Sequence, residues 1–390
     1  MENRFLLITL MATLAYLQGG FFEKIVATEG LSKNDRCMLH GDSCKDYSLA
    51  ELFENLPDVY VAPIQEALST IVSQDKLESV RFSPLLGGLS TSRMFQTIVD
   101  EKKYVLRLFD PKRAIERRRS EIEGLRIGAR LQIAPQLIYA NEAALVAVLE
   151  FIEGRTFTHE DLDNKELVKK LMRAVRTFHD YADGQHLIRA QIKKIDTIQA
   201  RRERCVKEGA VYPSCYDDLF QQLKNSFATL CSQPCPVHGD LKPENVIIAN
   251  DGGVYLIDWA EACIENPLYD IGWFASFSGA SPEQMHSLLR EYCQREPNTD
   301  EVRETFIHKD FATLFLATAW IGRQEVKDQT KLDALLESPL EKGASYIKRG
   351  ITTTLMTKKS GIEVTLYALG WLKEFIEDRY QDPAYVSTVN

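Results

Sequence analysis

No surplus of positive charge runs through this sequence. Lys and Arg number 47 against 56 Asp and Glu, a formal net charge of −9 over 390 residues. That balance excludes a generic nucleic-acid binder, because a phosphate backbone needs clustered cations on the protein surface. The basic runs Lys112 to Arg119 and Arg201 to Arg204 read as solvated helix faces. Long apolar runs are also missing. The stretch from Phe5 to Leu17 is shorter than the roughly 18 residues that argue for a spanning helix. Only Arg4 and the terminal amine precede it as positive groups, and Gln18-Gly19-Gly20 follow. A cleaved secretory segment, an interfacial or docking helix, and a packed helix or misplaced start are all open readings, and any membrane association would run through residues 1–20 alone. Eight cysteines in a chain this long do not make a disulfide scaffold. Cys37 with Cys44, and Cys231 with Cys235, are close enough to invite zinc, yet no His or second Cys pair completes a ligand set. Free thiols are expected, with a Cys37–Cys44 bridge kept open for an exported chain.

What the sequence does have is concentrated between Val237 and Asp258. His238-Gly239-Asp240 opens a tight loop that presents a carboxylate, and Asn245 follows with a neutral oxygen suited to Mg²⁺. Two short apolar runs, Val246-Ile247-Ile248 and Val254-Tyr255-Leu256-Ile257, flank the turn signal Asn250-Asp251-Gly252-Gly253. The pattern predicts a β-hairpin that carries Asp258 back toward Asn245. A carboxylate that can accept a hydroxyl proton and two oxygen donors for a divalent ion are the set that phosphoryl transfer from ATP needs.

The string HGDLKPEN, the later IDW and the segment Asn266-Pro267-Leu268-Tyr269-Asp270-Ile271-Gly272 resemble the catalytic core of the aminoglycoside phosphotransferase and choline kinase family. The resemblance covers roughly Val80 to Trp320. It implies an α+β, two-lobed, protein-kinase-like fold, with a small, mainly antiparallel β N-lobe, a larger, mainly helical C-lobe and an N-terminal helical extension. It also implies Asp240 as the catalytic base, Asn245 and Asp258 as Mg²⁺ ligands, and His238 and Asp270 as supports of the catalytic loop. Trp259-Ala260 stands after Asp258 where protein kinases have Phe-Gly, which favours the small-molecule branch.

Four segments follow from this reading: a hydrophobic N-terminal segment over residues 1–30, a linker and helical extension over 31–78, a nucleotide-binding lobe over 79–155 and a catalytic and acceptor-binding lobe over 156–390. In the nucleotide lobe, Gly87-Gly88 with Ser90 and Thr91 form a turn between two strands that can close over phosphates through backbone N–H groups. Arg107 sits inside the strand Tyr104 to Phe109 and must find an anion, a phosphate or a carboxylate, because its charge cannot be buried alone. By the resemblance Glu121 is its partner on the following helix, with Glu123 as the alternative. The resemblance further places a hinge at Glu150, Phe151 and Ile152 whose main chain would hold adenine.

In the catalytic lobe, helical periodicity marks Leu167 to Tyr181, Tyr216 to Leu230, Pro282 to Arg295, Val302 to Arg323 and Ile362 to Tyr380. His179 reads as a structural histidine, and Lys242 as either a γ-phosphate contact or a loop cap. Glu261, Trp273 and Trp320 are candidates for acceptor binding, since Trp faces attract ammonium groups, although each Trp also suits core packing. The expected function is ATP- and Mg²⁺-dependent phosphoryl transfer to a hydroxyl of a small cationic metabolite, choline- or ethanolamine-like or aminoglycoside-like. ATP chemistry points to the cytoplasm, with export through the N-terminal segment left open. Modification of a protein, or a nucleotide-binding scaffold without turnover, are the competing readings.

Overall fold

The computed structural model describes residues 46–85, 92–181, 194–349 and 361–378. The N-terminal apolar run, Cys37 and Cys44, and the loop residues Gly87, Gly88, Ser90 and Thr91 lie outside these ranges. Among the described residues no helix is long and apolar enough to cross a membrane. The chain divides into two compact units, the first holding residues up to Gly154 together with Ala249–Asp251 and Tyr255–Ala262, the second holding the remainder.

The first unit is built on a five-stranded sheet. Its strands are β1 (Arg81–Pro84), β2 (Arg93–Val99), β3 (Lys102–Leu108), β4 (Leu137–Ala140) and β5 (Val146–Glu150), in the order β1-β2-β3-β5-β4 with every pair antiparallel. Phe82, Phe95, Leu106 and Val148 turn into one hydrophobic core. The helices Leu49–Glu54 and Val61–Ser69 add Leu52, Ile64 and Leu68 to that same core. The helical extension therefore packs on the sheet and shares its interior. Ser48 and Glu51 start the first of these helices with a reciprocal capping box.

The Ile115–Arg130 helix ends with Gln132 in the left-handed region, φ 60°. Ile133 N–H reaches back to Gly128 O at 2.9 Å and Gln132 N–H to Ala129 O at 3.0 Å, a Schellman closure. The next strand accordingly begins only at Leu137: the helix cap uses the first backbone groups, and Pro135 has no N–H to give.

The second unit is mostly helical. The helices Lys165–His179, Lys194–Lys207, Tyr216–Phe227, Leu268–Ser278, Pro282–Cys293 and Thr299–Ile321 are followed by Gln329–Glu337, Gly343–Lys348 and Ile362–Asp378. Thr299–Ile321 is buried along most of its length, charged residues such as Glu304 and Lys309 included, so it runs through the middle of the unit. Gly272 lets Leu268–Ser278 cross it closely: a Cβ at that position would lie 2.6 Å from Lys309 N and 2.7 Å from Thr305 O. On another side Lys309 is buried within 3.0 Å of Asp378 and 3.8 Å of Glu374, which ties Ile362–Asp378 to the central helix.

Short strands carry the loops of interest. β7 (Cys235–Val237) pairs with β10 (Cys263–Glu265), while β6 (Gly154–Thr156), β8 (Val246–Ala249) and β9 (Val254–Leu256) form a sheet in the order β6-β8-β9. The expected hairpin is thus present, and Gly252 takes φ 80° in its turn.

Candidate active site

In the second unit, the loop after β7 is shaped by Gly239 at φ 79°, a conformation that favours glycine. Asp270, fully buried in the first turn of Leu268–Ser278, grips this loop from below: His238 N–H donates to its Oδ2 at 2.7 Å and Gly239 N–H to its Oδ1 at 2.9 Å. His179 Nε2 stands 3.0 Å from the same Oδ2, and its Nδ1 lies 3.0 Å from the Tyr292 hydroxyl. Burial works to raise the Asp270 pKa, but the hydrogen bond and charge of His179, with His238 and the Gly239 amide, outweigh it and hold the carboxyl below its usual value. The His238 side chain is itself buried.

The loop so held presents Asp240. Lys242 Nζ donates to its Oδ2 at 2.7 Å, Asn245 Nδ2 to its backbone oxygen at 2.8 Å and to Oδ2 at 3.2 Å, and Trp273 Nε1 approaches Oδ1 at 3.3 Å. Asn245 directs its amide nitrogen at Asp240, so its oxygen is the atom left to serve a hard cation such as Mg²⁺. Lys242 thus contacts the carboxylate two residues before it.

Trp273 belongs to an aromatic cluster. Its ring stacks on Phe277 at 4.9 Å and on Tyr269 at 5.5 Å, with Phe315 at 5.3 Å and Phe311 at 6.0 Å. Lys194 Nζ lies over the Tyr269 ring at 4.7 Å and the Arg201 guanidinium over Phe315 at 4.5 Å. Trp320 sits elsewhere in the same unit, buried edge-on against Tyr367 at 4.9 Å with Arg323 over its face. Of the two candidate tryptophans, only Trp273 touches Asp240 in these contacts.

In the first unit, Arg107 on β3 is buried and joins two carboxylates: Glu121, in close contact, and Asp258, whose Oδ1 accepts from Nη2 at 3.0 Å. Burial opposes the guanidinium charge, but Glu121 and Asp258 overcome it and hold Arg107 above its ordinary pKa. Burial pushes the Glu121 carboxyl up, against the pull of Arg107 and of Arg113, whose Nη1 donates to Glu121 Oε2 at 2.8 Å. Glu123, the other acid considered, pairs instead with Arg126.

Asp258 occupies the left-handed region, φ 62° and ψ 67°. Its conformation is fixed by the next residue, since Trp259 is fully buried and its Nε1 donates to Leu256 O at 3.2 Å. Trp259 lies in a notch on Ile115–Arg130, where a Cβ at Gly124 would come within 2.9 Å of its Cβ and one at Gly128 within 2.8 Å of its ring. Glu261 closes the single turn Trp259–Glu261. At the expected hinge, Glu150 N–H donates to Gln136 O at 2.9 Å, Lys103 Nζ lies 5.7 Å from the centre of the Phe151 ring, and Ile152 is half-buried.

Reading the sequence alone missed the Trp259 notch, the Arg113 contact, the Lys242–Asp240 pair and the Tyr292 hydroxyl on His179. Only the first left a local signal: two glycines four apart in a helical stretch present a smooth face.

A sequence profile described as the phosphotransferase enzyme family matches residues 81–305. Protein LicA of Haemophilus influenzae is 29% identical over 91 residues, 23% of this chain and 26% of that protein, so the alignment spans about a quarter of that curated relative. Among solved structures, an ethanolamine kinase of Plasmodium vivax is similar, with a TM-score of 0.54 and 16% identity over 87% of this chain and 94% of that one. The choline kinase LicA of Streptococcus pneumoniae gives a TM-score of 0.51 and 20% identity over 69% of this chain and 91% of that one. These likenesses speak to the fold, which is the expected α+β kinase-like one. The profile covers more than half of the residues, and with it this chain belongs to the phosphotransferase enzyme family.

Proposed function

We propose that this chain is an ATP- and Mg²⁺-dependent phosphotransferase that moves the terminal phosphoryl group of ATP to a hydroxyl of a small, cationic molecule. The observation that carries the reading is the brace under the catalytic loop: a buried carboxylate, Asp270, takes two consecutive backbone N–H groups and thereby aims Asp240. In this reading Asp240 orients the acceptor hydroxyl and takes its proton. A loose transition state asks little basicity of it, since proton transfer comes late. Asn245 and Asp258 each offer an oxygen to Mg²⁺, which when bound offsets the charge on the transferring phosphate oxygens. Arg107 would serve the phosphates while keeping Asp258 in place, with Gly87, Gly88, Ser90 and Thr91 closing over them. Backbone groups of Glu150, Phe151 and Ile152 would hold adenine, and Glu261 could face a cationic acceptor.

A cationic acceptor is supported by the choline and ethanolamine kinases among the similar structures; Trp273 holds Asp240 by its indole N–H while its ring stacks on Phe277 and Tyr269. A second reading, a neutral polyol acceptor, is favoured by a different observation: the faces of Tyr269 and Phe315 already carry Lys194 and Arg201, which would repel a further cation. An ADP-release assay with ATP and Mg²⁺ separates the two. Stimulation by choline, ethanolamine or an aminoglycoside supports the first, and stimulation by uncharged polyols alone supports the second. If none stimulates ADP release while ATP still raises the melting temperature, a nucleotide-binding scaffold replaces both.

A further inference from the structure

Apart from the loop around Asp240, the second unit carries a concave basic groove. One cavity of about 390 Å³ is lined by Lys169, Arg173, Arg290, Arg295 and their neighbours, and a second of about 380 Å³ by Arg173, Arg176, Thr177 and Asp180. The two adjoin through Arg173 and Gln294. Five cations line them against three acids, Asp180, Glu291 and Glu296, in a chain whose overall charge is −9. A local excess of the minority sign is a site that the average composition does not explain.

The cations are not equivalent. Arg176 is fixed, with Nη1 donating to the carbonyls of Tyr292 and Cys293 at 3.0 and 3.3 Å and Nε to Asp180 at 3.2 Å. Arg295 is clamped by Glu301 through two hydrogen bonds of 2.6 and 2.8 Å, and Arg290 stands 3.7 Å from Glu296. Lys169 and Arg173, one helical turn apart on Lys165–His179, have no carboxylate partner among the described residues. A fixed rim with two uncommitted cations facing a shared hollow is arranged to take an anion from solution. The volume suits a small molecule and not a helix or a nucleic-acid strand. Arginine forks match phosphate oxygens in pairs, and Arg173, common to both hollows, can bridge two linked phosphates.

We propose that this groove binds a small anion bearing a diphosphate group, at a site distinct from the catalytic loop. The test is calorimetric titration of inorganic pyrophosphate into the full-length protein with excess adenosine present, which competes for the nucleotide site and carries no diphosphate for the groove. It is repeated with orthophosphate, with a Glu-rich peptide, and on the Lys169→Glu/Arg173→Glu variant. Saturable pyrophosphate binding is expected, weakened at least tenfold in the double variant, weaker for orthophosphate and reduced by added salt. An unchanged melting temperature of the variant shows that its fold is intact. Equal pyrophosphate binding by both proteins, or none by the wild type, overturns the proposal. So does equal affinity for orthophosphate, which would leave no role for the second phosphate. If the peptide binds and pyrophosphate does not, the groove is a protein-docking surface and the diphosphate site is wrong.

Discussion

The two units present a carboxylate apiece, and they hold it by opposite means. In the first, Asp258 is held by charge and bulk: the Arg107 guanidinium, itself shared with Glu121, grips the carboxylate, while Trp259 fills a glycine notch behind it. In the second, Asp240 sits on a loop whose backbone N–H groups are gathered by Asp270. A left-handed residue shapes each turn, an Asp in one case and a Gly in the other. The difference matters because an ion pair tolerates small displacements, whereas amide hydrogen bonds fix the loop by direction as well as distance. The second unit should therefore be the less forgiving of the two.

The largest expected effect tests whether that precision serves chemistry. Asp240→Asn should lower kcat about 10²- to 10⁴-fold, the range of a positioned proton acceptor, with nucleotide affinity unchanged in a binding titration. Retained turnover would remove the functional half of the comparison. Next comes the brace itself. Asp270→Ala leaves two buried backbone N–H groups and His179 without their acceptor and should cost about 3–5 kcal/mol of stability, read from urea unfolding. A cost below 1 kcal/mol would mean the loop holds its shape unaided.

Acid should also strike the second unit first. His308 is fully buried at the Gly272 crossing, between the rings of Phe227 and Tyr269, and neither ring nitrogen has a hydrogen-bond partner among the described residues. Burial pushes its pKa down to about 3, while the Glu304 and Asp270 charges pull upward and Lys194 pushes further down. Above the ordinary value near 6.5 the imidazole is neutral in both folded and unfolded chains, so it imposes no pH dependence there. As pH falls from 6.5 toward 3 the unfolded chain binds the proton and the folded one does not, so stability drops by about 1.4 kcal/mol per pH unit from this group. His308→Leu should flatten that part of the stability profile, and an unchanged slope would show that other groups carry it.

Smaller effects probe the rigidity of each seat. Gly128→Val drives a branched side chain into Trp259 and Ala134, so an overpacking cost of about 1–3 kcal/mol is expected by thermal unfolding, with kcat falling because Asp258 shifts. Wild-type stability in that variant would show that the notch is not what seats Trp259. Smallest is Tyr292→Phe, which removes one hydrogen bond to His179 and should cost about 0.5–1.5 kcal/mol. A loss of kcat without loss of stability would instead make Tyr292 a positioning residue for the catalytic loop.

Much of the strand structure could be read from the chain directly. Alternation predicted β3, and the turn Asn250 to Gly253 predicted the hairpin, because both are local patterns whose period or turn chemistry permits few alternatives. The resemblance names Glu121 as the partner of Arg107, with Glu123 as the alternative, but spacing along the chain does not decide which of them faces it. That depends on how the helix rotates onto the sheet, and the rotation is set by Gly124 and Gly128 receiving Trp259. In the second unit, Trp273 and Trp320 looked alike as aromatics on apolar helices. Packing separates them, one against Asp240 and the other against Tyr367.

The sequence by itself determined the order of the chemistry: an Asp, an Asn and a second Asp at spacings that a loop and a hairpin can express, within a chain too acidic for nucleic acid. Those facts are local, since they depend on residue type and separation along the chain. Only the tertiary structure decided which buried groups hold each carboxylate, which tryptophan stands beside Asp240, and that five cations from two helices and their flanks gather into one groove. Such pairings join residues up to 151 positions apart, as Arg107 and Asp258 are, and their energies depend on burial and distance, which the chain acquires only on folding.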